Sequence, residues 1–261
     1  MRKLRLTRTV PFFALVLALC TLVIGGCGSS NGLVQIERSS GSIDRPMLNH
    51  WMRAMAGGDF NQDVGHKGPA GFVSEPANYP ECERAAKTVV PRDSSGRLKL
   101  NDAEIARKCH ELYRSIKAQA LSYLISVQWS IAQGDEVGFH VSDALLKKEF
   151  ANFRKGLYPT EADLQHFLSV RQWALSDILY QLKRNLLVRA ILPRFEQRVS
   201  KAGGGERVYA KLALQRLQGL VARTSCEPGY VVPNCKQYHG PPQVSPAPGV
   251  IFNAFAKGEA G

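Results

Sequence analysis

Residues 102–133 read DAEIARKCHELYRSIKAQALSYLISVQWSIAQ and carry the strongest helical signal in the chain. The apolar positions recur three or four residues apart, at Ile105, Cys109, Leu112, Ile116, Ala120, Tyr123, Leu124, Val127 and Ile131. This spacing places them on one face of an amphipathic helix. At 1.5 Å per residue such a helix is roughly 48 Å long. We therefore expect it to form the spine of the fold.

The segments on either side of this helix predict an all-α class. Downstream, the pattern predicts four more helices, over residues 143–153, 161–168, 175–199 and 206–223. Ser142 and Thr160 are good N-caps for the first two, whereas Pro193 should kink the third or end it early. Upstream, a short strand over 33–36 precedes a helix over 44–56. Gly, Pro, Asn and Asp dominate residues 57–100, which predicts one long irregular loop.

Composition and charge narrow the class of protein. The chain has 261 residues, of which 44% are hydrophobic and 21% charged, so it can bury a core and is neither a disordered polyelectrolyte nor a multi-span membrane protein. The net charge of +12 is local: residues 181–223 contain ten basic and two acidic side chains, a balance of +8. This basic stripe predicts contact with anionic lipid or wall polymer, or it is a solvated helix face. Nucleic acid is not expected, because aromatic residues are not interleaved with the basic ones.

The N-terminal segment predicts export and lipidation. Residues 1–27 combine basic residues, an apolar run over 10–24 and the tetrapeptide Ile24-Gly25-Gly26-Cys27. This tetrapeptide resembles the bacterial lipobox, in which two small residues give access to the cysteine that receives the lipid. We predict lipidation of Cys27, a flexible tether over 28–32 and a location on the extracytoplasmic face of the bacterial cell membrane. An ordinary signal peptide or an uncleaved segment is the alternative.

The remaining cysteines predict disulfides. Four of them follow the signal segment, at Cys82, Cys109, Cys226 and Cys235. An even number in an oxidising compartment favours two disulfides, for which three pairings are possible. Cys226 and Cys235 flank a turn-rich segment and would pair at the lowest cost, which would leave Cys82 for Cys109. A metal site built from Cys82, Cys109, His110 and His66 is the alternative, but these residues lack the usual ligand spacing.

Enzymatic motifs are missing from the sequence. We find no Gly-x-Ser-x-Gly, no His-Glu-x-x-His, no phosphate-binding Gly loop and no dinucleotide fingerprint. Gly203–Gly205 follows no predicted strand and is expected to be a hinge. We therefore expect no catalytic residue, no cofactor and no metal ion.

Three stretches together resemble the SurA/PrsA-type foldase lipoproteins, in particular their helical SurA N-terminal chaperone domain. A short strand and turn lead to a helix that carries His50-Trp51-Met52. EVGFHVSD, residues 136–143, is similar to the family's link after its spine helix, and the stretch from Thr224 to Lys236 is similar to its C-terminal signature. Two departures are a Ser39-Ser40-Gly41 turn without the usual Asn-Gly, and a missing glycine near Gln172-Trp173.

The resemblance implies a helical chaperone domain over residues 33–236, followed by a flexible tail over 237–261. The family's parvulin isomerase domain has no room in this chain, so we expect no enzyme. The implied function is that of a lipid-anchored holdase or foldase that binds unfolded or newly exported polypeptides. The aromatic residues expected to contact them are Trp51, Trp129, Phe150, Phe153 and Trp173. For the tryptophans, burial in a core is the alternative. The competing functions are a prolyl isomerase and a structural envelope lipoprotein without clients.

Overall fold

A computed structural model describes residues 32–37, 39, 41–64, 72–90 and 92–240 of the chain. Within these ranges the chain forms seven α-helices and three short β-strands, which confirms the all-α class. In chain order they are β1 (Gly32–Ile36), β2 (Ser42–Asp44), α1 (Arg45–Val64), α2 (Tyr79–Val89), α3 (Asp102–Glu136), α4 (Asp143–Leu157), α5 (Glu161–Arg171), α6 (Leu175–Lys201), α7 (Glu206–Ala222) and β3 (Thr224–Cys226). The predicted signal segment with Cys27, the tether before Gly32 and the tail after Gly240 lie outside the described residues.

The spine helix α3 is present as predicted and begins with a capping box. The Glu104 N–H donates to Asn101 Oδ1 (2.9 Å), and the Asn101 N–H donates to Glu104 Oε2 (2.8 Å). A glycine commonly ends a helix, but Gly134 does not end α3. It lies buried inside the last turns of the helix. A Cβ atom there would lie 2.6 Å from Leu187 Cδ2, so the glycine allows α6 to approach closely. Gly138, at φ +69°, then turns the chain.

The main hydrophobic core lies where α1, α2 and the small sheet pack against α3. The strand order is β2-β1-β3, and both pairings are antiparallel. Val34 lies opposite Ile43 on one side and Cys226 on the other, so the segment after α7 returns to the N-terminal strand. The sequence did not predict β3, because a three-residue strand has too little alternation to reveal itself without its partner.

A second, smaller core joins α4, α5 and α6. Its buried residues are Leu164, Leu168, Ile178 and Leu182. The predicted caps are both observed: the Leu145 N–H donates to Ser142 Oγ (3.3 Å) and the Asp163 N–H to Thr160 Oγ1 (3.2 Å). Between α5 and α6, Gln172 adopts φ +55°, the left-handed conformation that favours glycine. Gln172 thus adopts a backbone turn that glycine usually provides.

The prediction of one irregular loop over 57–100 was wrong. Helix α1 continues to Val64, and a separate helix, α2, runs from Tyr79 to Val89. The signal for α2 was present in Asn78 and Pro80, because an Asn N-cap followed by Pro in the first turn is a typical helix start. It is overlooked because the helix has only eleven residues and lies in a segment rich in turn formers.

The expectation that Pro193 could end its helix early was also wrong, since α6 runs on to Lys201. Ile191 and Phe195 are buried on the two sides of the proline. Tertiary packing on both sides therefore continues the helix past the lost backbone hydrogen bond.

Both predicted disulfides form. Cys82 in α2 is bonded to Cys109 in α3, and Cys226 in β3 is bonded to Cys235. The Cys82–Cys109 disulfide joins two helices, because Cys82 lies in α2 and not in the irregular loop that the sequence predicted. Because their sulfur atoms are in the disulfide, Cys82 and Cys109 are not thiolate ligands, and the metal alternative was wrong for them; His66 lies outside the described residues.

Candidate functional site

Exposed apolar side chains concentrate on α6 and α7. In the described part of the chain, eight large apolar residues are exposed: Leu157, Leu175, Val188, Leu192, Tyr209, Leu214, Leu217 and Val231. Six of these eight belong to α6 or α7. We call this helix pair the α6–α7 arm. An apolar patch that a protein leaves in water is a candidate interaction surface.

Helix α7 leaves its apolar residues exposed because it has few neighbours. It packs against α6 and continues into β3, and of its seventeen residues only Leu220 is buried. Leu214 and Leu217 are 55% and 46% exposed and follow one another by about one turn. They lie on a different side of the helix from the residues that face α6. The helix therefore has a second apolar side that no described element covers.

Within the described ranges, helix α7 contacts the N-terminal segment only through its last turns. Leu220, in the last turns, belongs to the main core, and the Glu37 N–H donates to the Arg223 carbonyl (3.0 Å). The rest of α7 stands away from that core. It is β3, and not α7, that pairs with β1.

A cleft of about 340 Å³ lies between the end of α3, α6 and α7. Apolar residues form part of its lining: Ile191, Phe195, Leu212 and Leu220. Val137 and Gly219 also line it, and the other lining residues are polar or charged: Gln133, Glu136, Arg198, Gln215, Arg216 and Arg223. We call it the arginine cleft, because it brings together three arginines that are up to 25 positions apart in the sequence.

The three arginines of the cleft differ in their partners. Arg223 Nη1 lies 2.7 Å from Glu136 Oε1 and forms a salt bridge with it. The guanidinium carbons of Arg216 and Arg198 lie 5.4 and 6.0 Å from the ring centroid of Phe195. Neither of these two arginines forms an ion pair with any described residue. The cleft thus has two arginines near an aromatic ring that are in no ion pair with a described residue; Arg216 is partly buried and Arg198 is exposed.

The electrostatics of the cleft reflect this arrangement. Burial lowers the pKa of Arg216, and the positive charge of Arg198 lowers it further, while Glu136 acts in the opposite direction. Tyr209 of α7 packs edge-on against Phe195, with ring centroids 5.2 Å apart. Positive charge is therefore concentrated beside an apolar floor.

The basic stripe predicted over 181–223 coincides with the arm. Two of its members are paired across to other helices: Arg189 with Glu149 of α4, and Arg223 with Glu136 of α3. Arg194 donates to the carbonyl of Val137 (2.8 Å). The sequence indicated this charge, but it did not indicate that three of the arginines would line one cleft around Phe195. Phe195 and Arg198 are three residues apart and therefore share one face of α6. Their meeting with Arg216, however, depends on how α6 and α7 lie relative to each other.

The five aromatic residues predicted to bind clients do not form one surface. Trp51 is 3% exposed and Trp129 is 6% exposed, so both belong to the main core. Trp51 packs against Tyr123 (centroids 4.7 Å apart), and Trp129 Nε1 donates to Thr224 Oγ1 (2.8 Å). The prediction that these two contact clients is corrected, and the alternative, burial in a core, is observed: this part of α3 is covered by α1, by the sheet and by α6.

The other three predicted residues come together at the second core. Phe150, Phe153 and Trp173 are each partly buried there. The rings of Phe150 and Phe153 are stacked, and Trp173 reaches Trp51 at 6.2 Å between centroids. Trp173 therefore links the two cores, whereas Phe150 and Phe153 belong to the second core alone.

A buried network that the sequence did not reveal holds the C-terminal segment in place. Glu75 is 6% exposed; it accepts hydrogen bonds from the hydroxyls of Tyr230 (2.8 Å) and Tyr113, and Lys117 Nζ lies 3.4 Å away. Arg45 donates to the Tyr230 hydroxyl (3.1 Å). Burial raises the pKa of Glu75, but the two tyrosine hydrogen bonds and Lys117 outweigh it, so this pKa lies below its ordinary value. We call this the Glu75 network.

A second polar pair joins α1 to α6. His50 Nε2 lies 2.6 Å from Asp177 Oδ1, and the Ala174 N–H donates to Asp177 Oδ2 (2.8 Å). Asp177 therefore caps α6 with one oxygen and contacts α1 with the other. The pair positions the first turn of the arm against the main core.

The helices and side-chain clusters of the described residues also bear on membrane spans and metal sites. None of the helices in these ranges is long and apolar enough to cross a bilayer. The same ranges contain no group of three or more His, Cys, Asp or Glu residues arranged to bind a metal ion.

The fold and the arm define a disulfide-bonded, mostly helical protein with one open helix pair. The chain matches no protein-family model, no curated protein and no solved structure. The similarity to SurA/PrsA-type proteins therefore stays a prediction from the sequence motifs, and function has to be argued from the surface of this chain.

Proposed function

We propose that this protein is an extracytoplasmic, lipid-anchored chaperone that binds unfolded or newly exported polypeptides on its α6–α7 arm. The observation that carries the proposal is the concentration of six of the eight exposed large apolar side chains on these two helices. An unfolded polypeptide exposes apolar side chains that a folded protein hides. A surface of scattered leucines can cover them without chemical reaction.

The position of the arm suits this role. The buried residues of the main core, both disulfides and the Glu75 network lie outside α6 and α7, except for Leu220. Helix α6 has one buried side, which packs on α3 and in the second core, while its exposed apolar residues and those of α7 stay on the surface. Lipidation at Cys27, which lies outside the described residues, would keep the arm near the site where exported chains emerge. The proposed activity needs no cofactor and no nucleotide.

The test is suppression of aggregation. A denatured reporter protein is diluted into buffer with the full chain, and its light scattering is followed over time. The wild-type chain should suppress scattering at equimolar ratio, and Leu214→Ser/Leu217→Ser should lose most of this effect, since it removes two apolar contacts of the exposed side of α7.

The matched control is Leu157→Ser/Val231→Ser, which removes two exposed apolar side chains away from the arm. It should suppress scattering as the wild type does. Equal losses in both variants would contradict the assignment to the arm, and a wild-type chain without any effect would contradict the chaperone proposal. An accelerated proline-limited refolding reaction would instead favour the prolyl isomerase, and no effect in either assay would favour a structural lipoprotein.

A further inference from the structure

We infer that the arginine cleft recognises a carboxylate next to an apolar side chain in the bound polypeptide, so that the protein selects acidic-apolar segments. This inference rests on the proposed function and adds a substrate class to it. Three features of the cleft carry it: its charge balance, its apolar floor and its size.

The charge balance calls for an anion. Arg198, Arg216 and Arg223 face a single carboxylate, Glu136, and that carboxylate is already in a salt bridge with Arg223. Arg198 and Arg216 are left without an ion pair among the described residues. Arginine forms charge-assisted, commonly bidentate hydrogen bonds with carboxylates. A carboxylate placed between these two guanidinium groups would supply the missing counter-charge.

The floor of the cleft distinguishes a peptide from a simple anion. Ile191, Phe195 and Leu212 line it beside the two arginines. A hydrated anion such as a phosphate would leave these side chains uncovered. An aspartate or glutamate with a neighbouring leucine or phenylalanine would fill both the charged and the apolar part.

The size and the polar lining agree with a short segment of extended chain. A volume of about 340 Å³ lies near the lower end of ligand clefts, at roughly 300–1,000 Å³. It accommodates a few side chains and not a folded domain. Gln133 and Gln215 line the same cleft and bring amide groups that can pair with a peptide backbone. The lowered pKa of Arg216 is consistent with a cation that lacks its partner.

The experiment measures the binding of labelled peptides to the full chain by fluorescence anisotropy. Two unstructured peptides are compared that differ only in glutamate against glutamine beside each leucine. We expect the glutamate peptide to bind roughly tenfold more tightly, which corresponds to about 1.4 kcal/mol, because hydrogen bonds between guanidinium and carboxylate groups are stronger than those to a neutral amide. The difference should shrink as the salt concentration rises.

The variant Arg198→Gln/Arg216→Gln should bring the ratio of the two affinities close to one, mainly by weakening the binding of the glutamate peptide. The matched control is Lys183→Gln/Arg207→Gln, which removes the same charge from exposed positions of α6 and α7 outside the cleft. It should keep the preference. Arg198→Lys/Arg216→Lys, which keeps the charge and loses the bidentate geometry, should give an intermediate ratio.

Four results would overturn the inference, the last of them together with the proposed function. Equal affinities of the wild type for both peptides would remove the carboxylate preference and leave polypeptide binding intact. If the cleft and control variants lost the preference for the glutamate peptide equally, the preference would depend only on net charge. Binding to anionic phosphatidylglycerol vesicles that only the cleft variant loses, without any change in peptide binding, would assign the cleft to lipid headgroups. Failure to bind either peptide would overturn the proposed function as well.

Discussion

The second half of α3 and the whole of α7 are both helices with frequent apolar residues, yet they end in opposite environments. In α3, thirteen of the fifteen residues from 120 to 134 are buried, whereas in α7 one of seventeen is. Helix α3 has α1, α2, α6 and the sheet around it, and α7 has α6 and β3. The difference teaches that neighbours, and not helical pattern, decide which apolar residues are available to a partner.

The largest expected effect comes from one matched leucine pair. Leu124 in α3 is fully buried and Leu214 in α7 is 55% exposed. Leu124→Ala should lower the free energy of unfolding by about 2–5 kcal/mol, because it leaves a cavity in the main core. Leu214→Ala should change it by less than about 0.5 kcal/mol. Urea unfolding followed by circular dichroism measures both, and similar losses would show that α7 is packed as tightly as α3.

The two disulfides allow the packed region around α3 and the segment after α7 to be compared, with the next largest expected effects. In the chain-entropy view, Cys82→Ala/Cys109→Ala releases a loop of 27 residues and should lower the free energy of unfolding by about 3.5 kcal/mol. Cys226→Ala/Cys235→Ala releases one of 9 residues and should cost about 2.5 kcal/mol. Urea midpoints of the two double variants give the order. A reversed order would mean that the segment after α7 contributes more to the fold than α2 does.

The smallest effect is a pH dependence at the Glu75 network. The pKa of Glu75 is lowered in the folded state, so its contribution is complete above the unfolded value of about 4.3 and is lost as the pH falls through the folded pKa. Glu75→Gln should cost about 1–3 kcal/mol at pH 7 and flatten the loss of stability below pH 5. Urea midpoints between pH 7 and pH 3 measure it.

The control for this prediction is Glu161→Gln, which removes an exposed carboxylate that pairs with Arg154 on the surface. Below pH 5 the free energy of unfolding of this variant should fall with pH as steeply as that of the wild type. If Glu75→Gln left this pH dependence unchanged as well, the network would hold the C-terminal segment by packing and neutral hydrogen bonds alone.

Much of the fold follows from local signals in the sequence. The spacing of apolar residues predicts α3, and Ser142 and Thr160 mark two helix starts that the structure has at the same positions. The spacing of the cysteines favours the two disulfides that form. Helix α2 was missed although Asn78 and Pro80 signalled it, and β3 was missed because a strand of three residues depends on its partner.

The candidate site was much less predictable. The basic stripe indicated where charge accumulates, but Phe195, Arg198 and Arg216 meet only because α6 and α7 lie side by side. Trp51 and Trp129 looked suited to a groove for the same reason that they suit a core: a large aromatic ring is favourable in both. Their environment depends on α1, on the sheet and on Thr224, which are distant in the sequence.

The amino-acid sequence by itself determined the helical class, the long central helix, the helix caps and the even set of cysteines, because each of these depends on residues within a few turns of one another. Only the tertiary structure decided which apolar faces are covered, which arginines share a cleft and which carboxylate lies buried between two tyrosines. Burial and charge pairing are properties of contacts between distant segments, and such contacts exist only once the helices have packed.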